Sequence, residues 1–216
     1  MQSVDVREQM IEQQVRAWEV LDERVLEAMR KVPRELFVPP EHLYLAYADV
    51  EVQLPCGQRM LRPSVAGRLL QALLPAPGEP VLEVGAGSGF LTACLAALGA
   101  SVRSLEVFAE LAEAARRNLD ALGMRDAEVL DADALGFESG ARYGAIAVTG
   151  SLPLYDARFE RMLSVGGRLF AVVGEAPVME ARLVRRTAED AWATESLFET
   201  VLDPLVNAPR PPQFTF

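Results

Sequence analysis

The stretch Val81-Leu82-Glu83-Val84-Gly85-Ala86-Gly87-Ser88-Gly89-Phe90 constrains the fold of this chain more than any other. It opens with a short apolar run of the kind that forms a buried strand. It then breaks into three glycines spaced two apart, and an apolar helical pattern follows from Leu91 to Leu98. That order is a strand, a tight turn and a helix. Glycine suits the turn because it tolerates φ > 0 and lets a ligand approach bare backbone. The helix N-terminus beyond it offers unpaired N–H groups.

The spacing separates ligand classes. A dinucleotide turn reads G-x-G-x-x-G, whereas here the third glycine comes one residue early and Phe90 stands where the dinucleotide glycine would be. A phosphate-binding Walker A loop ends in Gly-Lys-Ser/Thr, and this turn has no lysine. Glu83 precedes the turn, and Glu106 ends the next strand pattern, Ser101 to Leu105. An acid about 20 residues past such a turn accepts hydrogen bonds from the ribose hydroxyls of an adenosine. It also suits the start of a helix near Phe108 through the helix dipole. A third acid, Asp133 in Leu130-Asp131-Ala132-Asp133-Ala134, follows a third strand pattern. The form E-x-G-x-G-x-G resembles motif I of the S-adenosylmethionine-dependent methyltransferases. There the turn wraps the methionine and ribose part of the cofactor, and the resemblance implies that Asp133 contacts the adenine edge.

Periodicity extends the pattern in both directions. Before the turn, Val6, Met10, Ile11, Gln14 and Val15 mark a first amphipathic helix, and Asp22 N-caps a second carrying Val25, Leu26 and Met29, which Pro33 ends. Pro63 opens a helix with Val65, Leu69, Leu70 and Leu73 on its apolar face. From the turn onward the expected elements are strand 81–85, helix 90–98, strand 101–106, helix 108–122, strand 127–131, strand 143–149, a helix around 156–163 and strand 167–173. Alternating strands and helices predict a parallel sheet with helices on both faces. Residues 179–187 and 192–202 read as an antiparallel edge joined near Glu189-Asp190, and the proline-bearing tail from Pro204 reads as extended. One unit is predicted over 1–216, with a helical cap and lip over 1–63, a cofactor core over 64–175 and the edge and tail over 176–216. The segment 32–63 is expected to lie over the carboxyl ends of the strands, with Gln58 to Leu61 near the cofactor.

Composition removes several function classes. A formal net charge of −10 disfavours a nucleic-acid backbone as partner. The single histidine, His42, reads as a surface residue, and with two distant cysteines, Cys56 and Cys94, it supports neither a metal site nor a hydrolytic triad. Cys56 reads as a small buried hydrophobe. No run is long enough to span a bilayer, and Met1 to Arg16 lacks a signal-peptide core. The cytoplasm is the expected location.

The chain as a whole resembles the protein-L-isoaspartate O-methyltransferase family. The resemblance rests on Val32-Pro33-Arg34-Glu35-Leu36-Phe37-Val38-Pro39, Tyr47-Ala48-Asp49, Gly57-Gln58 with Pro63, the glycine turn and Val148-Thr149-Gly150. It covers roughly residues 5–175. It implies an α/β, class I S-adenosylmethionine-dependent methyltransferase (Rossmann-like) fold with a mostly parallel sheet, antiparallel edge strands and an N-terminal helical cap. It implies esterification of isoaspartyl carboxylates in damaged proteins, with S-adenosyl-L-methionine as cofactor. It places the cofactor on Glu83, Gly85, Ala86, Gly87, Ser88, Gly89, Glu106, Val107, Asp133, Ala134 and Thr149, and the substrate on Gln58, Arg59, Met60 and Leu61. Family members carry Thr-Ile-Ser after Gly-Gln, where this chain reads Arg59-Met60-Leu61, so Leu61 takes the serine's position and no catalytic residue is assigned. Pro63 biases Arg62 towards extended backbone, so either only one of Arg59 and Arg62 faces inward and pairs with a substrate carboxylate, or both are solvated surface arginines. A methyltransferase for a different small-molecule or protein carboxylate, or a cofactor-binding protein without catalysis, are the alternative readings.

Overall fold

A computed structural model describes residues 3–212; the sequence expectations for the first two and last four residues lie outside the described residues. In chain order the elements are α1 (Ser3–Met10), α2 (Glu23–Lys31), β1 (Val52–Gln53), β2 (Arg59–Met60), α3 (Pro63–Leu73), β3 (Pro80–Val84), α4 (Phe90–Ala97), β4 (Ser101–Glu106), α5 (Ala109–Ala121), β5 (Ala127–Asp131), β6 (Tyr143–Leu152), α6 (Ala157–Arg161), β7 (Leu163–Glu175), β8 (Val178–Ala188) and β9 (Ala191–Glu199). Seven strands form one sheet in the order β5-β4-β3-β6-β7-β8-β9. The pairs from β5 to β7 are parallel, and β8 and β9 close the edge antiparallel. The strand order reverses at β3, whose neighbours are β4 on one side and β6 on the other. Open α/β sheets bind ligands at that reversal, outside the carboxyl ends of the strands.

Local chemistry explains the elements that cover the sheet. Asp22 caps α2 by accepting from the Arg24 backbone N–H, and Val25, Leu26, Ala28 and Met29 are its buried face. The helix stops at Lys31, two residues before Pro33, as expected of a residue that precedes a proline. The i, i+5 spacings of the first helix have a structural counterpart: α1 runs into a π turn over Ile11–Val15, with Ile11 and Val15 buried. Gly67, mid-way along α3, allows that contact. A Cβ there would lie 2.8 Å from Val15 Cγ1 and 3.0 Å from Val20 Cγ2.

The amino ends of the strands are fastened by one side chain. Arg168 on β7 pairs with Glu79 just before β3 and donates to the carbonyls of Leu73, Leu74 and Gly144. This ties α3, β3, β6 and β7 together at the end of the sheet opposite the glycine turn.

Three strands begin or end three or more residues from where the sequence pattern predicts, and one of them is β9, which stops at Glu199 and not at Leu202. β7 starts at Leu163, ahead of Gly166-Gly167, because its pairing with β6 shifts register there. Gly167 sits so close to the carbonyls of Tyr143, Gly144 and Ser164 (2.9–3.0 Å from a would-be Cβ) that only glycine fits. The glycine pair is an irregularity within the strand and not its start. β6 runs on to Leu152, since Ser151 bridges to Pro204.

Candidate functional site

The carboxyl ends of β3, β4 and β6 and the residues after β5 open into a cleft of about 760 Å³. Its floor is the turn after β3, and the three glycines there have different reasons to be glycine. Gly85 (φ +92°) would place a Cβ 2.4 Å from Thr149 Oγ1. Gly87 (φ +54°) presents bare backbone to the cleft, with a would-be Cβ 3.3 Å from Leu54. Gly89 (φ +88°) faces Ala115 of α5, at 3.2 Å from its Cβ. Gly89 therefore does not line the cleft. It sets the packing of α5 on the turn and donates its N–H to Ala86 O. Among the residues expected to hold the cofactor, Gly89 supports the turn from outside the cleft lining.

Thr149, on β6, closes the turn from the other side. Its hydroxyl lies 2.9 Å from Val84 O and 2.8 Å from Gly85 O and serves as donor. Glu106, at the end of β4, accepts from Gly87 N at 2.8 Å and from Phe108 N at 3.1 Å. Burial pushes its carboxyl up while these backbone donors oppose the shift. Each of its oxygens keeps a second lone pair for a ligand. Asp133 accepts from Leu135 N and from Asn207 Nδ2, both at 2.9 Å, which fixes its carboxylate in the cleft beside Ala134. Val107 also lines the cleft.

Glu83, Ala86 and Ser88 do not line this cleft; they line a smaller adjoining cavity, which shares Arg59, Met60, Leu61, Gly85, Gly87 and Thr149 with it. Glu83 is fully buried. One carboxyl oxygen accepts from Thr92 Oγ1 at 2.5 Å and Ser104 Oγ at 2.6 Å, and the other has no partner. Burial pushes this carboxyl from 4.5 up to about 7, against the two hydroxyl donors. An acid whose folded value is raised contributes stability that is complete below its unfolded value and is lost as pH rises through the folded one. The window is therefore pH 4.5 to about 7, and the loss is on the order of 3 kcal/mol. Glu83→Gln keeps an acceptor for Thr92 and Ser104 and cannot ionise. Urea midpoints measured from pH 5 to 8 should fall less steeply for Glu83→Gln than for the natural protein. Parallel curves would show that Glu83 does not titrate in that range.

The roof of the cleft is the short hairpin β1–β2 and the residues after it. Gln58, Arg59, Met60 and Leu61 all line it, opposite the glycine turn. Leu61 lines the cleft, packs partly buried against the core, and accepts at its carbonyl from Arg34 Nη2 at 2.6 Å. Arg34 is completely buried, donates also to Ala46 O at 3.0 Å and lies over the Phe90 ring at 4.8 Å. Of the two lip arginines, Arg59 faces the cleft and pairs with Glu51 and Asp203. Arg62 turns away, donating to Thr200 Oγ1 and lying over the Trp18 ring.

One expectation is overturned. Cys56 is exposed and not buried, because the β1–β2 turn takes it into the left-handed region (φ 59°) at the tip. His42 lies at the surface, partly covered beside Tyr44, with Nδ1 shielded from solvent. The sequence reading missed the far wall, Leu202 to Val206, together with Glu51 and Arg34. The wall has a weak signal in Asp203-Pro204-Leu205, a proline-stiffened run after the last strand. Arg34 lies inside the V-P-R-E motif, but nothing in that motif says which carbonyls it serves. Among the described residues, no helix is long and apolar enough to cross a membrane, and no cluster of His, Cys, Asp and Glu is arranged to hold a metal ion.

The family model described as protein-L-isoaspartate(D-aspartate) O-methyltransferase matches residues 5–209, so the likeness runs through the antiparallel edge and the far wall, beyond the 175 expected from sequence motifs. A protein-L-isoaspartate O-methyltransferase of Aeropyrum pernix is 39% identical over 207 residues, which cover 94% of this chain and 80% of the relative. One from Pelobacter propionicus is 38% identical over 204 residues, covering 94% and 91%. A Plasmodium falciparum protein provisionally given the same family name, crystallised with S-adenosyl-L-homocysteine, superposes with a TM-score of 0.82 over 92% of this chain and 97% of its own, at 19% identity. That last likeness is one of fold.

Proposed function

Because the chain belongs to the protein-L-isoaspartate(D-aspartate) O-methyltransferase family, we propose that it methylates the free carboxylate of isoaspartyl residues in damaged proteins, the esterification that begins their repair. The protein is an S-adenosylmethionine-dependent methyltransferase. The observation that carries the proposed substrate is the meeting of the glycine turn and the 58–61 lip across one cleft. Its two free cysteines suit a reducing compartment, and the cytoplasm is the proposed location.

In this reading the bare backbone of Gly85 and Gly87 holds the methionine and ribose portion of the cofactor, with Ala86 and Ser88 shaping the turn. Glu106 accepts the ribose hydroxyls, and Val107, Asp133 and Ala134 border the adenine. Thr149 keeps the turn rigid, while Glu83 and Gly89 support it from behind. The cofactor supplies a methyl group on a sulfonium, so that a C–S bond breaks and an O–C bond forms, leaving a methyl ester and a neutral thioether. The chain needs no strong base for this. A substrate carboxylate, with an ordinary pKa of about 4, is already ionised at neutral pH. Gln58 to Leu61 and the glycine turn have to align the two partners, and positioning alone supplies roughly 7–11 kcal/mol of a barrier.

The test is a labelled methyl-transfer assay on an isoaspartyl peptide beside its aspartyl twin. Label should enter the isoaspartyl peptide and not the twin, as a base-labile ester. Equal labelling, or none, would remove the substrate assignment.

A further inference from the structure

We propose that Arg59 is the specificity-determining residue of the lip: it receives the substrate carboxylate by giving up its ion pair with Asp203. The proposal rests on the methyltransferase reading above and names the group that makes an acid the preferred substrate. Among the described residues lining the cleft, Glu51, Glu106, Asp133 and Asp203 are acidic and Arg59 is the one cation. An incoming carboxylate meets repulsion from every other charged group there, so its binding depends on that guanidinium. Leu61 offers no hydrogen bond, and Arg62 is engaged with Thr200 and Trp18, outside the cleft.

The geometry of Arg59 suits exchange. Its Nη1 is 3.2 Å from Glu51 Oε2 and its Nε is 3.3 Å from Asp203 Oδ2. These are two single contacts to two acids and not the paired fork that makes an arginine–carboxylate bond strong. Among the described residues, Nη2 donates to nothing in the protein. A substrate carboxylate can therefore take Nη2 together with Nε as a fork, displacing Asp203.

Release of Asp203 leaves the wall standing. Ser151 N donates to Asp203 O at 2.9 Å, Leu205 N donates to Ser151 O at 2.8 Å and Ser151 Oγ donates to Leu202 O at 3.1 Å. These bonds hold the segment to β6 without Arg59. The Asp203 side chain is already half exposed, so it can turn to water. In the absence of substrate it acts as an internal carboxylate that keeps the guanidinium in place.

The experiment compares the natural protein with Arg59→Gln and Asp203→Asn. It measures KM and kcat for the isoaspartyl peptide. It also measures calorimetric binding of that peptide to protein saturated with S-adenosylhomocysteine, at about 20 and about 300 mM salt. Arg59→Gln should raise KM and the peptide Kd about tenfold or more, flatten the salt dependence of peptide binding and leave the Kd for S-adenosylhomocysteine unchanged. Asp203→Asn should lower KM, because it removes both a competitor and a repelling charge. Turnover by Arg59→Gln with natural KM and natural salt dependence would overturn the proposal and leave the methyltransferase reading intact. Loss of S-adenosylhomocysteine affinity in step with peptide affinity would also overturn it, making Arg59 a structural residue. Absence of transfer from the natural protein to isoaspartyl peptide would overturn the methyltransferase substrate reading and this proposal together.

Discussion

Saturating S-adenosylmethionine, or its demethylated product, is expected to raise the melting temperature, and Gly85→Val is expected to erase that rise. A ligand at a hundredfold excess over its Kd stabilises the native state by about 2.7 kcal/mol, which is about 5–11 °C for a chain of this size. NADH should give no shift, since the turn lacks the dinucleotide spacing. Gly85 is the sensitive point for two reasons that add. Its φ of +92° is closed to a β-branched side chain, and the would-be Cβ lies 2.4 Å from Thr149 Oγ1. Thr149 cannot move aside freely, because its hydroxyl holds the carbonyls of Val84 and Gly85. The strain is about 1–3 kcal/mol, and the distorted turn no longer presents its backbone to ligand. Gly123→Ala is the control: its φ is +66° but nothing lies within 4 Å of the new Cβ. It should lose stability and keep the full ligand-induced shift, read by thermal scans and titration calorimetry. A Gly85→Val protein with the natural shift would end the assignment of the turn.

The contrast between that turn and the lip shows what the sequence makes legible. β4 and β5 are read from the sequence with their exact ends, and β3 and α4 to within one residue at each end. Their signals are local: an apolar run, a glycine, a change of period. The N-cap at Asp22 is local in the same sense, an acid two residues before the N–H it accepts from. The lip is not local. Residues 32–63 contain short 3₁₀ turns and one two-residue hairpin, which have no period long enough to read. Their backbone path is set by Arg34 reaching 12 and 27 residues ahead to Ala46 and Leu61. The far wall is set by Ser151, some 50 residues before the carbonyls and N–H groups it engages. Cys56 departs from its expected burial for a related reason: hydrophobicity suggests burial, whereas a left-handed turn tip dictates exposure. The same limit applies to Arg59 and Arg62, three residues apart with identical chemistry. Only the partners contributed by Asp203, Thr200 and Trp18 decide which faces the cleft.

Arg34→Met is expected to be among the most damaging single substitutions, with loss of turnover exceeding loss of cofactor affinity. The guanidinium is wholly buried, and desolvation lowers its pKa to about 10, so it remains charged at neutral pH. It has no carboxylate partner within ion-pair distance among the described residues; its charge is met by two carbonyls and the face of Phe90. Methionine fills much of the same space and relieves the desolvation of a buried cation. It leaves Ala46 O and Leu61 O without their donor, at a net cost of about 2–4 kcal/mol. The loss falls on the lip first, because those two carbonyls bracket the hairpin that carries Gln58 to Met60. Phe90 is the first residue of α4, directly after Gly89, so Arg34 also links the lip to the cofactor turn. The turn itself keeps Gly85, Gly87, Glu106 and Thr149 with their own bonds, so the Kd for S-adenosylhomocysteine should change by less than about tenfold, under 1.4 kcal/mol. Arg34→Lys should recover part of the stability and little of the turnover, since one ammonium on a flexible stem cannot reproduce a planar fork serving two carbonyls. Urea midpoints, S-adenosylhomocysteine calorimetry and kcat on isoaspartyl peptide separate these effects. A natural midpoint for Arg34→Met would mean that the two carbonyl bonds do not hold the lip. Equal losses of turnover and cofactor affinity would place Arg34 in the support of the turn instead.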